Sequence, residues 1–129
     1  MSEKIHTHIF AWNEALLDIG ADAIAICTKQ NSIIENVRST VLIGLDRVLA
    51  ADPRLIERIL QRYPAKWWAG EIKIYISLKR HEIILFQDAR KLIRSLGESK
   101  YSYGDVVAVS LLAIADPRHR LPRLSAAET

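Results

Sequence analysis

Cysteine, glycine and long apolar runs are all scarce in this chain of 129 residues. Its one cysteine, Cys27, excludes an intramolecular disulfide and lies in an apolar run, which predicts a buried, unreactive thiol. The five glycines stand apart from one another, so there is no glycine-rich phosphate loop. No serine or cysteine stands in the glycine-flanked turn that exposes a catalytic nucleophile. These absences predict a protein that is not an enzyme and that holds no cofactor.

Apolar segments are too short for a membrane span, since no window approaches the ~18 uncharged apolar residues that a spanning helix needs. Residues 1–8 (MSEKIHTH) hold no apolar core with a cleavage site, so we expect no secretory signal, a cytoplasmic location and no membrane partner. A hydrophobic fraction of 50% suits one globular domain, predicted to cover residues 1–117. Residues 118–129 are predicted to form a basic extended or disordered tail.

The net charge of +3 is unevenly distributed along the chain. Residues 1–53 carry four Lys/Arg against seven Asp/Glu, whereas residues 54–129 carry fourteen against eight. The second half would therefore attract a polyanion. This charge permits DNA or RNA as the predicted partner class but is too modest to require it.

Apolar periodicity predicts five helices, at about residues 7–28, 33–51, 53–62, 88–97 and 106–115. The valines of the last segment leave a strand as the alternative there. The first helix has two apolar stripes and the last is apolar almost all round, so both are central or a patch remains for a partner. Gly44 either weakens the second helix or allows close helix packing. The predicted N-cap residues are Thr7, Ser32, Asp52, Asp88 and Ser102.

Strict alternation of apolar and polar residues from Glu71 to Leu78 predicts a strand. Its predicted partner is residues 82–86, joined through a turn at residues 79–81, because a lone strand cannot satisfy its backbone. A helix that begins near His81 is the alternative. The predicted fold class is mainly α (α+β): a helical domain of about five helices with a β-hairpin inserted around residues 71–86.

Three arginines recur every four residues and therefore share one face of the third predicted helix. A lysine and two tryptophans follow that helix directly. Guanidinium groups in a row can follow the phosphates of a strand, and an exposed indole can stack on an unpaired base. Basic residues of the hairpin and of the next helix could extend this surface. The candidate nucleic-acid-binding set is Arg54, Arg58, Arg62, Lys66, Trp67, Trp68, Lys79, Arg80, Arg90 and Arg94.

These residues also have a purely structural interpretation. Charges on the outer face of a helix are typical of solvation alone, and Glu57 interrupts the arginine row. Adjacent residues on an extended segment point in opposite directions, so we expect at most one of Trp67 and Trp68 in the core and the other exposed. His6 and His8 have no third ligand near them in sequence, so no metal site is predicted.

In size, element order and charge, the chain resembles the small helical subunits of archaeal CRISPR interference complexes. That resemblance implies a basic, non-catalytic subunit positioned along a nucleic-acid strand, and it assigns no individual residues. The predicted function is an accessory subunit that binds nucleic acid, preferably single-stranded, within a larger assembly. The alternative is a protein-interaction module held by apolar contacts, such as an antitoxin-like or immunity-like inhibitor or a capsid-type protein. A protein partner or a homo-oligomer is expected in both cases.

Overall fold

The computed structural model describes residues 5–116 and residue 118. The predicted class is confirmed over these residues, where five helices accompany one two-stranded antiparallel sheet in an α+β arrangement. Apart from Arg118, the predicted tail lies outside the described residues. In chain order the elements are β1 (Ile5–Trp12), α1 (Glu14–Asn31), α2 (Val37–Ala50), α3 (Pro53–Arg62), β2 (Ile72–Lys79), α4 (Arg80–Leu96) and α5 (Tyr103–Ala115).

The sheet joins two distant parts of the chain. The alternating segment forms β2 as predicted, but its partner is β1, paired from Ile5 opposite Lys79 to Trp12 opposite Ile72. The predicted partner, residues 82–86, is wrong because these residues belong to α4. Their apolar residues fit the helical repeat that continues through Phe86 and Ile93, both buried on the core side of α4.

Three predicted helix starts are wrong, each for a local reason. Thr7 lies in β1, and α1 begins after Asn13, whose side chain accepts a hydrogen bond from the Leu16 N–H (2.9 Å). Ser32 follows the end of α1 in a left-handed conformation (φ 54°), and α2 is capped by Asn36 instead. Asp88 lies inside α4.

Two predicted starts are confirmed. The Asp52 side chain caps α3 and Pro53 is its first residue, so the helix has the predicted bounds. Ser102 and Asp105 form the predicted capping box at α5, which is a helix and not the alternative strand.

The α5 helix occupies the centre of the fold. Every residue from Gly104 to Ala115 is buried, and α1, α2, α3 and α4 all pack against it. The inward face of the sheet adds the buried side chains of Phe10, Trp12, Ile76 and Leu78. The central position predicted for the last helix is therefore confirmed, and it explains the apolar residues around its whole circumference.

Glu82, in the first turn of α4, is a buried carboxylate that connects three elements. It accepts a hydrogen bond from the Lys79 N–H (2.8 Å) and pairs with Arg38 of α2, whose Nε donates to the Ser77 carbonyl of β2 (2.9 Å). Burial opposes ionisation of Glu82, but these two donors outweigh it and lower the pKa of its carboxyl below the usual value. The ionised side chain therefore stabilises the fold.

Replacement of Glu82 by glutamine should lower the free energy of unfolding by about 1–2 kcal/mol at neutral pH, because Arg38 loses its charged partner. The folded-state pKa of Glu82 lies below its ordinary value of 4.5, so its contribution is complete above 4.5 and declines as the pH falls through the folded value. Urea unfolding of both proteins at neutral and acidic pH checks this. A difference that stays constant down to low pH would contradict it.

Candidate nucleic-acid interface

The α3 helix carries the predicted arginine row because its sequence separates an apolar face from a basic one. The apolar face is buried through Ile56, Ile59 and Leu60. The opposite face bears three exposed side chains, Arg54, Arg58 and Arg62, which we call the α3 ridge. A spacing of four residues places successive members about 6 Å apart along the helix axis. The ridge is therefore a row of exposed arginine side chains along one side of α3.

The three members of the ridge differ in how far they are neutralised. Arg54 forms an exposed ion pair with Asp52 (2.8 Å), and its hydrogen bond holds the pKa of that carboxyl below the usual value. The Arg58 side chain forms no ion pair within the described part of the chain, although its charge helps Arg54 to lower the pKa of Asp52. The Arg62 guanidinium lies 6.0 Å from the ring centroid of Tyr63, at the limit of a cation–π contact. Arg58 and Arg62 thus carry most of the charge that a polyanion would meet.

Two acidic residues limit the extent of the ridge. Arg54, Glu57, Arg58 and Gln61 line an open cleft of about 220 Å³ on the α3 surface. Glu57 also borders a second open cleft of about 290 Å³, which lies between α3 and the α4–α5 loop and includes Glu98. The interruption at Glu57 that the sequence indicates is therefore present in three dimensions, and it lies on the side of the ridge that faces α4.

The segment after α3 is a turn, which sends its two tryptophans into different surroundings. Trp68 is buried and its indole Nε1–H donates to Asp105 Oδ1 (2.8 Å). Trp67 is half-buried, with its ring centroid 4.9 Å from that of Tyr63. The expectation of a single core tryptophan is confirmed, whereas the full exposure expected of the other is not observed. Lys66 is exposed beyond the end of the ridge.

Asp105 holds this turn against the start of α5. Its Oδ1 accepts the Lys66 N–H and the Trp68 indole N–H, each at 2.8 Å. Its Oδ2 accepts the N–H (2.8 Å) and the hydroxyl (3.0 Å) of Ser102. The sequence identifies Asp105 only as a helix cap, because nothing local indicates a contact with residues nearly forty positions earlier.

The four remaining candidate residues do not join the ridge in one continuous surface. Lys79 and Arg80 stand at the first turn of α4, about 24 Å along the axis from Leu96, whose end of the helix faces α3. Arg90 is half-buried, with its guanidinium 4.0 Å from the Tyr103 ring centroid. The Nε of Arg94 donates to the Tyr101 carbonyl (2.9 Å). The last two side chains therefore already make intramolecular contacts.

Residues 5–116 and 118 contain no group of three or more His, Cys, Asp or Glu side chains placed to hold a metal ion. None of the helices α1 to α5 is long and apolar enough to cross a membrane. Comparison with protein-family models, with curated proteins and with solved structures gives no match for this chain.

Proposed function

We propose that this chain binds nucleic acid, with a preference for single strands, as a non-enzymatic accessory subunit of a larger assembly. The α3 ridge is the observation that supports this function most directly. Arginine forms strong, charge-assisted contacts with phosphate, and no carboxylate among the described residues pairs with Arg58 or Arg62. The exposed Lys66 extends the positive charge past the end of α3.

A single strand fits the ridge better than a duplex does. The half-buried Trp67 and Tyr63 lie next to Arg62, so an unpaired base could stack at the end of the row of phosphate contacts. In a duplex the bases are already stacked and cannot reach these rings. The acids at positions 57 and 98 would repel a second strand on the side of the ridge that faces α4.

Arg58→Glu combined with Arg62→Glu should weaken binding to a single-stranded oligonucleotide by about 10- to 100-fold at low salt. Each lost phosphate contact should also reduce the slope of log affinity against log salt by about 0.7, so the pair should reduce it by about 1.4. Fluorescence anisotropy with a labelled oligonucleotide over a series of salt concentrations measures both quantities.

Matched variants separate the contribution of the α3 ridge to binding from the general effect of net charge. Lys29→Glu changes the charge as much as Arg58→Glu does, at an exposed site on α1, and should have a much smaller effect. Asp52→Asn keeps the helix cap but releases Arg54 from its ion pair, so it should strengthen binding. Equal effects of Lys29→Glu and Arg58→Glu, or no binding by the unaltered chain, would contradict the proposed function.

Two exposed isoleucines favour a second candidate, the protein-interaction module. Ile33 is 61% and Ile34 is 90% exposed in the loop between α1 and α2. A hydrogen bond from the Glu35 N–H to the Thr28 hydroxyl (3.0 Å) folds this loop back against the end of α1. A partner bound there by apolar contacts would be retained at high salt, whereas a nucleic-acid complex would dissociate.

A further inference from the structure

The outward face of the two-stranded sheet is exposed to solvent. Strands alternate their side chains between two faces, and the residues of one face of β1 and β2 are all exposed. Within these two strands this face contains two lysines and no acidic residue. Its members are Ile5, Thr7, Ile9 and Ala11 of β1 and Lys73, Tyr75, Ser77 and Lys79 of β2.

Tyr75 stands near the middle of this face, which we call the outer sheet face. Its side chain is 62% exposed and lies directly opposite Ile9, which is 61% exposed. At the next pair on the same face, two residues further along β2, a hydrogen bond joins the Thr7 and Ser77 hydroxyls (2.9 Å). The aromatic ring therefore rests on a regular, paired backbone and faces solvent. Such a ring is a suitable platform for a flat apolar ligand.

Cations flank the tyrosine along β2. Lys73 lies two residues before Tyr75, at about 7 Å along the strand, and Lys79 lies four residues after it, at about 13 Å. A ligand that covers the ring and continues along the strand would thus meet positive charge on both sides. This combination of an aromatic ring and flanking cations suits a chain of bases and phosphates.

The dimensions of the face favour a thin ligand over a second copy of the chain. Eight residues at about 3.3 Å each give a length of about 26 Å, and two strands give a width of about 10 Å. A face this long and narrow suits an extended strand of nucleotides that lies along it. Two copies would also bring the lysines of both faces together.

We propose that the outer sheet face is a second contact surface for single-stranded nucleic acid. One unpaired base stacks on Tyr75 beside Ile9, and neighbouring phosphates contact Lys73 and Lys79. This inference rests on the proposed function and adds to it a base contact at a second place, apart from the stacking proposed at Trp67 and Tyr63. The ridge binds phosphates, whereas the outer sheet face binds both a base and its phosphates.

The test compares an oligothymidylate with an abasic phosphodiester of equal length, so that only the bases differ. The full chain should bind the oligothymidylate more tightly, by at least the roughly 5- to 150-fold that one stacked base contributes. Tyr75→Thr keeps a residue that favours strands but removes the ring, so it should lower this difference by about 5- to 150-fold and leave only the contribution of stacking at Trp67 and Tyr63. Tyr75→Phe keeps the ring and should preserve it. The salt dependence should be the same in all three proteins, because no charge changes.

The possible outcomes separate the two proposals. Equal affinity of the unaltered chain for both oligomers would overturn the inference and leave the ridge as the phosphate-binding site. A base preference that Tyr75→Thr does not change would place the stacking elsewhere and also overturn it. No binding of either oligomer would contradict the proposed function itself. If Tyr75→Thr lowered the mass measured by light scattering without changing the base preference, a second copy would be the occupant of the face.

Discussion

Replacing Asp105 by alanine should lower the free energy of unfolding by about 3–5 kcal/mol, because several buried donors lose their acceptor together. The carboxylate is 3% exposed and accepts hydrogen bonds from the Lys66 N–H, the Trp68 indole and two groups of Ser102. The Trp68 indole is buried, so water cannot replace the lost acceptor for it. Urea unfolding followed by tryptophan fluorescence measures the loss.

Two control variants test whether the loss of stability in Asp105→Ala comes from its hydrogen bonds. Asp88→Ala removes an exposed carboxylate from the middle of α4 and should change stability by less than about 0.5 kcal/mol. Asp105→Asn keeps one acceptor oxygen and should fall between the two alanine variants. If Asp105→Ala were no more destabilising than Asp88→Ala, the hydrogen bonds to the turn would contribute little to stability.

Asp105 also links stability to the candidate interface. It accepts a hydrogen bond from the backbone of Lys66, the residue that extends the α3 ridge, and it fixes Trp68 so that Trp67 lies against Tyr63. The ridge itself depends on α3, whose apolar face is anchored independently of this turn. A partly destabilised Asp105 variant should therefore retain the arginine contacts and lose the ordered end of the ridge.

The features that the sequence predicts well are those set by neighbouring residues. Asp52 and Pro53 fix the start of α3, and the arginine row follows from the helical repeat alone. The alternation of residues 71–78 likewise indicates a strand without any knowledge of its surroundings. Each of these conclusions requires only the local geometry of one element.

The features that the sequence does not reveal depend on distant residues. Ile9 and Trp12 continue the apolar repeat of α1, so β1 can be taken for the first turns of that helix. Some sixty residues and three helices separate β1 from β2 in the chain, so no turn motif in the sequence indicates that the two strands pair. The alternation of β2 alone predicts Tyr75 on its polar face, but only the pairing with β1 sets Ile9 opposite Tyr75. The outer sheet face could therefore emerge only from the structure.

The close packing of α2 against α5 leads to the second large effect, at Gly44 of α2. A Cβ atom there would lie 2.2 Å from the Ser110 carbonyl oxygen and 2.7 Å from its carbon. Both are backbone atoms of α5, which is buried on every side and cannot shift alone. Of the two roles that the sequence allows Gly44, close packing is the one observed.

Gly44→Ala should therefore destabilise the protein by about 3 kcal/mol or more, although alanine favours a helix by about 1 kcal/mol. Gly20→Ala in α1 is the matched control, since its Cβ would first meet the Trp12 ring at 3.2 Å. A side-chain ring can move by a few tenths of an ångström where two helix backbones cannot, so this variant should stay close to the original stability. Thermal or urea unfolding measures the stability of both variants. Equal stability of the two would mean that α2 and α5 separate at little cost.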